Sequence, residues 1–572
     1  MKKKLALILV GILAVSALGG CSTYTNEPVK STEAATSATE SASGDSSKET
    51  EASSSNQPKE MTVGASADVI TLDCSKANDN NSSEVLFHTS EGLLRYYEGE
   101  IRNGLAESYE VSEDGLTYTF HLRDAKWEDG EPVTADQFVY SFQRLFDPGT
   151  GASQYDLYLA INNAQDIIDG KITDLSQLGV EAVDEKTFVI TLGRISPTFL
   201  DSLAAADELY PLRQEFVEAA GAAYGSDKAN YLSTGPFKLE SWTPETEVVM
   251  VKNDNYWDAD SIHMDRITRL IIADANTRAS MFDNGEIDVN NNIASSLLGN
   301  YDNETCLTYS SGTMYSLQIN VNGTSEATGK VLSNENFRKA LSYAIDRQAI
   351  GQAIEYGSNT PAGRLVDPAV PGTTEGKSFH EEFSLSNEIP VKGDAAKAKE
   401  YLDKALEELG MTAQELPTMT YLCMDIGNRK LYAEAILSAW NTNLGISCFE
   451  VVQFPVPTTI QNMMNGEYDI YWQQVSNSLM DPYTYMCNWV TDGGINVTGW
   501  GDETYDTLID KTEATMDQAQ RLQLFAQAED YILEHGPQIP LFFGNNNISV
   551  NPSYTGVSYL SDMTYIYADV SQ

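Results

Sequence analysis

The chain has 572 residues, 83 Asp or Glu against 36 Lys or Arg, a formal net charge of −47, and a globular composition of 42% hydrophobic and 10% aromatic residues. A field of that sign repels phosphate backbones and anionic headgroups, which excludes nucleic acid as a partner class and reads first as a highly soluble exterior. Six cysteines, none in Cys-x-x-Cys spacing, in a chain too long to need staples, carry no zinc or redox signature, although one disulfide stays open.

Lys2, Lys3 and Lys4 precede an apolar run of 14 residues from Leu5 to Leu18. As a helix it reaches only about 21 Å, short of the roughly 30 Å hydrocarbon core. Residues 1–20 therefore read as a cleaved export signal. Leu18-Gly19-Gly20-Cys21 resembles the lipobox of bacterial lipoproteins, which implies a diacylated Cys21 as the first mature residue, anchored on the extracytoplasmic face of the cell membrane. The alternative is an ordinary signal with an incidental cysteine. Residues 22–58 hold 16 Ser or Thr in 37 positions and almost no large apolar side chain. Such a segment cannot offset its ordering entropy, so 21–58 reads as a disordered tether, with a root-mean-square reach of about 30–37 Å. No later apolar run approaches membrane length.

The remaining ~510 residues exceed the size at which one core stops growing, so two or three lobes are expected. Strands and helices alternate along them. Thr117–Leu122 alternates at period two, and Phe188–Leu192 and Glu247–Val251 are β-branched runs. Thr134-Ala-Asp-Gln137 is a capping box that predicts a helix with Phe138, Val139, Phe142, Leu145 and Phe146 on its apolar face, stopped by Asp147-Pro148-Gly149. A second helix is expected from a cap at Ser333 through Phe337, Ala340, Leu341, Ala344 and Ile345. A third starts at Asp394, buries Ala398, Tyr401, Leu402, Ala405, Leu406 and Leu409, and stops at Gly410. A fourth carries Leu524, Phe525, Ala528, Tyr531 and Ile532. Cys423 and Cys448 lie in apolar strand-like segments and read as buried thiols.

One internal echo outweighs any single element. Met281-Phe-Asp-Asn-Gly-Glu-Ile-Asp-Val289 and Met463-Met-Asn-Gly-Glu-Tyr-Asp-Ile470 share Asn-Gly-Glu-x-Asp-apolar. Each predicts a helix ending at a glycine and a strand beginning at once, so two α/β lobes of related construction are expected. Ligands of open α/β sheets settle beyond the carboxyl ends of the strands. Those ends are Asn290-Asn291-Asn292 in one lobe and Tyr471-Trp472-Gln473-Gln474 in the other, amides and aromatics suited to a neutral polar ligand. The alternative is that they are plain strand-to-loop exits.

Catalytic constellations are missing: no Gly-x-Ser-x-Gly elbow, P-loop or Gly-x-Gly-x-x-Gly fingerprint occurs. The five His include no i,i+4 pair, and residues 76–84 lack the order of a calcium loop, so neither a metal nor another cofactor is expected. With so many carboxylates an acid pair for glycoside hydrolysis stays open, because its spacing is spatial. No enzyme is expected.

The run Trp127-Glu-Asp-Gly-Glu-Pro-Val-Thr-Ala-Asp-Gln-Phe-Val-Tyr-Ser-Phe-Gln-Arg-Leu-Phe-Asp-Pro148 resembles the oligopeptide-binding proteins of bacterial ABC importers, the lipoprotein-type family 5 extracellular solute-binding proteins. The resemblance continues through Thr234-Gly-Pro-Phe237, Asn255-Tyr-Trp-Asp258, Phe337–Arg347, Asp481-Pro482 and Ile539-Pro-Leu541, in order over residues 60–572. It implies an α/β, periplasmic-binding-protein-like two-lobed clamshell with an additional inserted α/β domain. Domain I would comprise 59–89, 212–312 and 541–572, domain II 90–211, and domain III 313–540. It further implies a monomer that captures an extended peptide in a closing cleft and delivers it, unaltered, to the ABC permease subunits in the membrane.

The resemblance places Asn78 where the first domain meets the ligand main chain, Tyr155 on a cleft-lining tyrosine, and Phe543 near an aromatic cleft position. Together with Asn291, Asn292, Phe454, Trp472, Gln474, Ser478 and Asp481 these form the expected ligand-binding set. Ser478 is a departure: family members usually carry there an aspartate that pairs with the ligand amine. No Lys or Arg occurs between Lys430 and Lys511, where some members place arginines against a peptide carboxylate. A buried charged terminus without a partner costs several kcal/mol, so the cleft is expected not to enclose both ends of a short peptide tightly. The amine partner would be Asp425, Asp469 or Asp481, the peptide longer or blocked, or the solute neutral, such as an oligosaccharide stacking on Trp440, Trp472, Trp489 or Trp500. More remote readings are a secreted glycoside hydrolase and a surface chaperone or pheromone sensor.

Overall fold

The computed structural model describes residues 58–570 except 98, 303, 304, 477, 478, 492, 494, 495 and 559–563. The export signal, Cys21, the tether and Ser478 lie outside the described residues. Among the described residues no helix is long and apolar enough to cross a membrane.

An eleven-stranded sheet organises most of the chain. Its order is Phe449–Phe454, Met419–Met424, Ile470–Ser476, Cys306–Ile319, Gln538–Val550, Val289–Asn290, Glu60–Ala65, Arg266–Ile271, Glu247–Lys252 and Phe237–Thr243, with Thr360–Pro361 paired to the fifth. Two parallel triplets sit inside it. Glu60–Ala65 lies between Arg266–Ile271 and Val289–Asn290, and Met419–Met424 between Phe449–Phe454 and Ile470–Ser476. In each triplet the central strand comes first in the chain, and the last crossover passes over it.

The long strands Cys306–Ile319 and Gln538–Val550 join the triplets antiparallel. Their ladder runs to Ser310 opposite Asn545 and resumes at Met314 opposite Phe543, so Ser311, Gly312 and Thr313 face Gly544 alone. A Cβ on Gly544 would meet Ser311 Oγ at 2.5 Å and Thr313 Cβ at 3.1 Å, so only glycine admits this close approach. The bulge divides two cores. One cluster, with Met61, Val63, Leu239, Ile267, Val289 and Ile548, lies on one side, and another, with Leu317, Phe337, Leu341, Trp440, Ile470 and Leu541, on the other.

A third cluster spans Leu93 to Leu209. Its frame is a four-stranded antiparallel sheet ordered Ala106–Val111, Thr117–Leu122, Thr187–Thr191, Val180–Asp184. The helix Ala135–Phe146 starts at the Thr134 capping box and packs Phe138 and Phe142 on Phe188, with ring centroids 5.6 and 5.3 Å apart. All three rings are fully buried, and truncating any of them to alanine removes about 3–5 kcal/mol. Arg144 at the far end of that helix donates to both oxygens of Asp73 at 2.6 and 2.7 Å and ties this unit to the first core.

Local expectations meet the structure closely. Helix Ala395–Leu409 has Asp394 as its cap and Gly410 in the left-handed region, and Gln518–His535 buries Phe525, Ala528 and Ile532. One cap is displaced. Asn334, not Ser333, caps helix Glu335–Tyr343 by accepting from Phe337 N, because Ser333 already closes the preceding helix Glu326–Leu332. The five described cysteines are free thiols, with Cys423 buried in its strand and Cys448 half-buried.

Candidate ligand cleft

The echoed segments build closely matching joints. Helix Ala275–Asp283 ends at Asn284 (φ −85°, ψ −5°) and Val456–Met464 ends at Asn465 (φ −82°, ψ −6°). The glycines that follow have φ +72° and +71°. Gly285 N donates to Phe282 O at 2.9 Å and Gly466 N to Met463 O at 3.0 Å. The aspartate two residues past each glutamate then accepts from the backbone of the central strand: Asp288 Oδ2 from Thr62 N and Asp469 Oδ2 from Thr420 N, both at 2.8 Å. The shared pattern is thus a stitch that fastens a crossover to the middle of its triplet and fixes where the next strand ends.

Register decides where those ends point. Ile470–Ser476 runs from opposite Ile319 to opposite Thr313, and Val289–Asn290 runs from opposite Val550 to opposite Ser549. Both therefore head for the bulge at Ser311–Thr313 and Gly544, from opposite sides. Their parallel neighbours Met419–Met424 and Glu60–Ala65 do the same. The carboxyl ends of both triplets converge on the bulge, each at the point where the strand order reverses.

On one side, Met424 leads through Asp425 and Gly427 to helix Arg429–Leu444. Asp425 N donates to Phe454 O at 2.8 Å, which ties the ends of two neighbouring strands together. Arg429 Nη2 donates to Gln474 Oε1 at 2.7 Å. Its guanidinium carbon lies 4.9 Å from the Tyr315 ring centroid and 4.8 Å from that of Trp472. Tyr432 supports Trp472 from below, with centroids 5.0 Å apart. Trp472 is buried, and among the described residues its Nε1 and the buried Gln473 Oε1 have no hydrogen-bond partner.

On the other side, Asn291 N donates to Gly64 O at 3.2 Å, and its buried Oδ1 has no partner among the described residues. Asn292 is exposed, and its carbonyl accepts from Arg278 Nη2 at 3.0 Å. Asn78, exposed, and Tyr155, half-buried, are brought together where Gln154 Nε2 donates to Ala77 O at 2.9 Å. Burial raises the Tyr155 hydroxyl above its ordinary range, with Asp156 adding to the effect.

Two expected ligand residues are otherwise engaged. Asp481 caps helix Pro482–Met486 and is held by Arg521 through both oxygens, at 2.5 and 2.8 Å. Phe543 is buried in the core beyond the bulge, its ring 6.2 Å from His380. Of the three acids expected as amine partners, Asp469 is also committed: it is fully buried and accepts from Thr324 and Thr420. Asp425 is exposed. Trp440, Trp472 and Trp489 are buried and Trp500 is half-buried, which leaves little aromatic face for a sugar.

The basic-free stretch between Lys430 and Lys511 does not leave these strand ends without a cation. Arg429 stands just before the basic-free stretch that begins after Lys430, and the turn at Gly427 returns it to the strand ends. Its signal in the sequence is an arginine at the start of a helix with no acid in the first turn, against the helix dipole. Among the described residues no His, Cys, Asp or Glu cluster could hold a metal ion.

The model of the bacterial extracellular solute-binding proteins, family 5 middle, matches residues 100–497. The oligopeptide-binding protein OppA of Bacillus subtilis (strain 168) is 29% identical over 497 residues, covering 84% of this chain and 87% of that protein. The periplasmic oligopeptide-binding protein OppA of Salmonella typhimurium is 30% identical over 511 residues, covering 87% and 90%. Among solved structures, the unliganded open form of the periplasmic murein tripeptide-binding protein MppA is similar with a TM-score of 0.74 and 27% identity, covering 88% of this chain and 94% of that one. The mixed α/β fold is that of periplasmic solute-binding proteins, and the chain belongs to the family 5 bacterial extracellular solute-binding proteins.

Proposed function

We propose that this protein is a lipid-anchored, extracytoplasmic, monomeric receptor of an ABC importer that captures oligopeptides in the cleft at the bulge and hands them to the permease without chemistry of its own. The observation that carries the reading is the convergence of both sets of strand ends on the bulge, where Asn291, Gln473 and Gln474 offer amide groups. The names of the relatives, oligopeptide-binding proteins, support the ligand class. The separate cores favour a division into domain I (59–89, 212–312, 541–572), domain II (90–211) and domain III (313–540), except that Leu541, Phe542 and Phe543 pack in the core of domain III. Asn78, Tyr155, Asn291, Asn292, Phe454 and Gln474 would line the cleft, with Trp472 buried behind them. Asp481 and Phe543 would hold its frame.

Closure would come from twisting at Ser311–Thr313 and Gly544, since both long strands belong to both lobes. Cys21 would moor the molecule and residues 22–58 give it reach. Thermal melting with peptide and glycan libraries tests the ligand class. A ligand at a hundred times its Kd adds about 2.7 kcal/mol, so peptides are expected to raise the melting temperature and glycans not. A shift with glycans alone would overturn the peptide reading. Cys21→Ala is expected to move the protein from the membrane fraction to the medium; retention in the membrane would overturn the anchor.

A further inference from the structure

We infer that Ser310 and Asn545, opposite each other on the rung beside the bulge, clasp the two lobes at a set angle, Ser310 by its bond to Asp367 and Asn545 by its bonds to Ser358 and Thr360. Asp367 is then a positioning residue for capture, acting through Ser310 and touching no ligand. This rests on the reading of a peptide receptor that closes at the bulge, and deepens it.

Ser310 and Asn545 form the last rung on the side of the first core, the one with Met61 and Ile548, before Ser311–Thr313 interrupt the ladder. Each side chain of that rung nonetheless bonds across to the lobe of the second core. Ser310 Oγ donates to Asp367 Oδ2 at 2.7 Å. Asn545 Nδ2 donates to Ser358 O and to Thr360 Oγ1, both at 3.0 Å. Ser358 Oγ in turn accepts from Ser295 Oγ at 3.2 Å, on the loop that follows Val289–Asn290. A bend at the bulge changes the separation of these partners, so the bonds as they stand select one lobe angle.

The Ser310 arm also reaches into the bulge. With its proton committed to Asp367, the hydroxyl oxygen is left to accept, and Gly312 N donates to it at 3.0 Å. Gly312 sits at φ +67°, a conformation that costs glycine little. The relay from the Gly312 N–H through the Ser310 hydroxyl to the Asp367 carboxylate fixes the backbone where the strand passes from one lobe to the other.

Asp367 is rigidly mounted. Leu365 N and Val366 N each donate to Glu529 Oε1 at 2.8 Å, and Val366 and Val370 on either side of it are buried in the second core. Asp367 itself is fully buried, accepts a second bond from Ala369 N at 2.8 Å, and has no Lys or Arg within ion-pair distance among the described residues. A carboxylate buried without a cation lowers stability. What this one holds in return is the hinge.

The test uses the full-length protein in detergent, as wild type, Ser310→Ala, Ser310→Thr and Asn545→Ala. Backbone hydrogen exchange over residues 308–316 is read without peptide. Affinity for a random pentapeptide library is measured well below the melting temperature. Ser310→Ala and Asn545→Ala are each expected to exchange those amides at least tenfold faster. They are also expected to bind about threefold more weakly, because the bound lobe angle is then drawn from a wider set. Ser310→Thr keeps the hydroxyl and is expected to match wild type in both readings. Wild-type exchange in Ser310→Ala or Asn545→Ala, or faster exchange with affinity unchanged, overturns the clasp and leaves peptide capture intact. So does a Ser310→Thr that behaves as Ser310→Ala, since the hydroxyl is then not what holds the angle. A wild type that binds none of the peptides overturns peptide capture, while the exchange of Ser310→Ala against Ser310→Thr still decides the clasp.

Discussion

Arg521 grips both carboxylate oxygens of Asp481, Nη1 to Oδ2 at 2.5 Å and Nη2 to Oδ1 at 2.8 Å, and the two side chains are almost wholly buried. The pair pins the start of helix Pro482–Met486 to helix Gln518–His535. Asp481 is therefore a strut. Asp481→Ala should lower unfolding free energy by about 3–5 kcal/mol, because it strands a buried guanidinium. Peptide affinity measured well below the melting temperature should stay within about twofold, since the pair's bonds stay within one lobe. Urea denaturation and calorimetry check the two halves; intact stability with abolished binding would make Asp481 a ligand residue after all.

The twin stitches differ in depth. Asp469 is fully buried and serves four donors on Thr324 and Thr420, whereas Asp288 is half-buried. Asp469→Ala is expected to cost about 3 kcal/mol or more, by leaving buried donors unmet, and Asp288→Ala about 1 kcal/mol. Comparing the two by denaturant titration decides it; equal losses would show that burial does not govern the joint.

Asp207 and Glu208 are adjacent buried acids where the inserted unit meets the first core. Tyr158 donates to Glu208 Oε2 at 2.9 Å, Asp207 Oδ2 is unpartnered, and the groups acting on the pair are Tyr158, Asp79 and Ser83. Burial raises both carboxyls above their ordinary range, and for Glu208 the neighbouring Asp207 adds to it. The folded state then binds more protons than the unfolded one. Stability is fully present below the ordinary carboxylate range, about pH 4, and falls as pH rises through the raised values. Glu208→Gln should flatten that decline and raise the melting temperature at neutral pH. Melting curves against pH provide the check; an unchanged slope would rule out Glu208 as its source.

Gly544 opposes three residues at the bulge. Gly544→Val should force Ser311 and Thr313 aside at a cost on the order of 1–3 kcal/mol, and reduce the change in radius of gyration on peptide binding. Small-angle scattering with and without peptide tests this. Full compaction in the variant would move the hinge elsewhere.

Much of this was readable along the chain because its signals are local. The Thr134 capping box, the Asp394-to-Gly410 helix and the repeated Asn-Gly-Glu-x-Asp joint each depend on a handful of neighbouring residues, and each stands where expected. Ser333 failed because two helices meet there and the serine closes the first. Asp481 looked available because its partner lies forty residues on, and Phe543 because a strand sequence does not say which face is covered. Arg429 is not legible from the strand Ile470–Ser476 because it reaches Gln474 from a turn in another crossover.

The strand Gln538–Val550 has a consequence for how the molecule comes into being. It lies mid-sheet and borders Cys306–Ile319 along most of its length, yet it follows every other strand of that sheet in the chain. Neither half can complete its hydrogen-bonding ladder until that segment arrives, so a growing chain stays unfinished in both halves at once. Assembly of the sheet is gated by the strand that is made after all its neighbours.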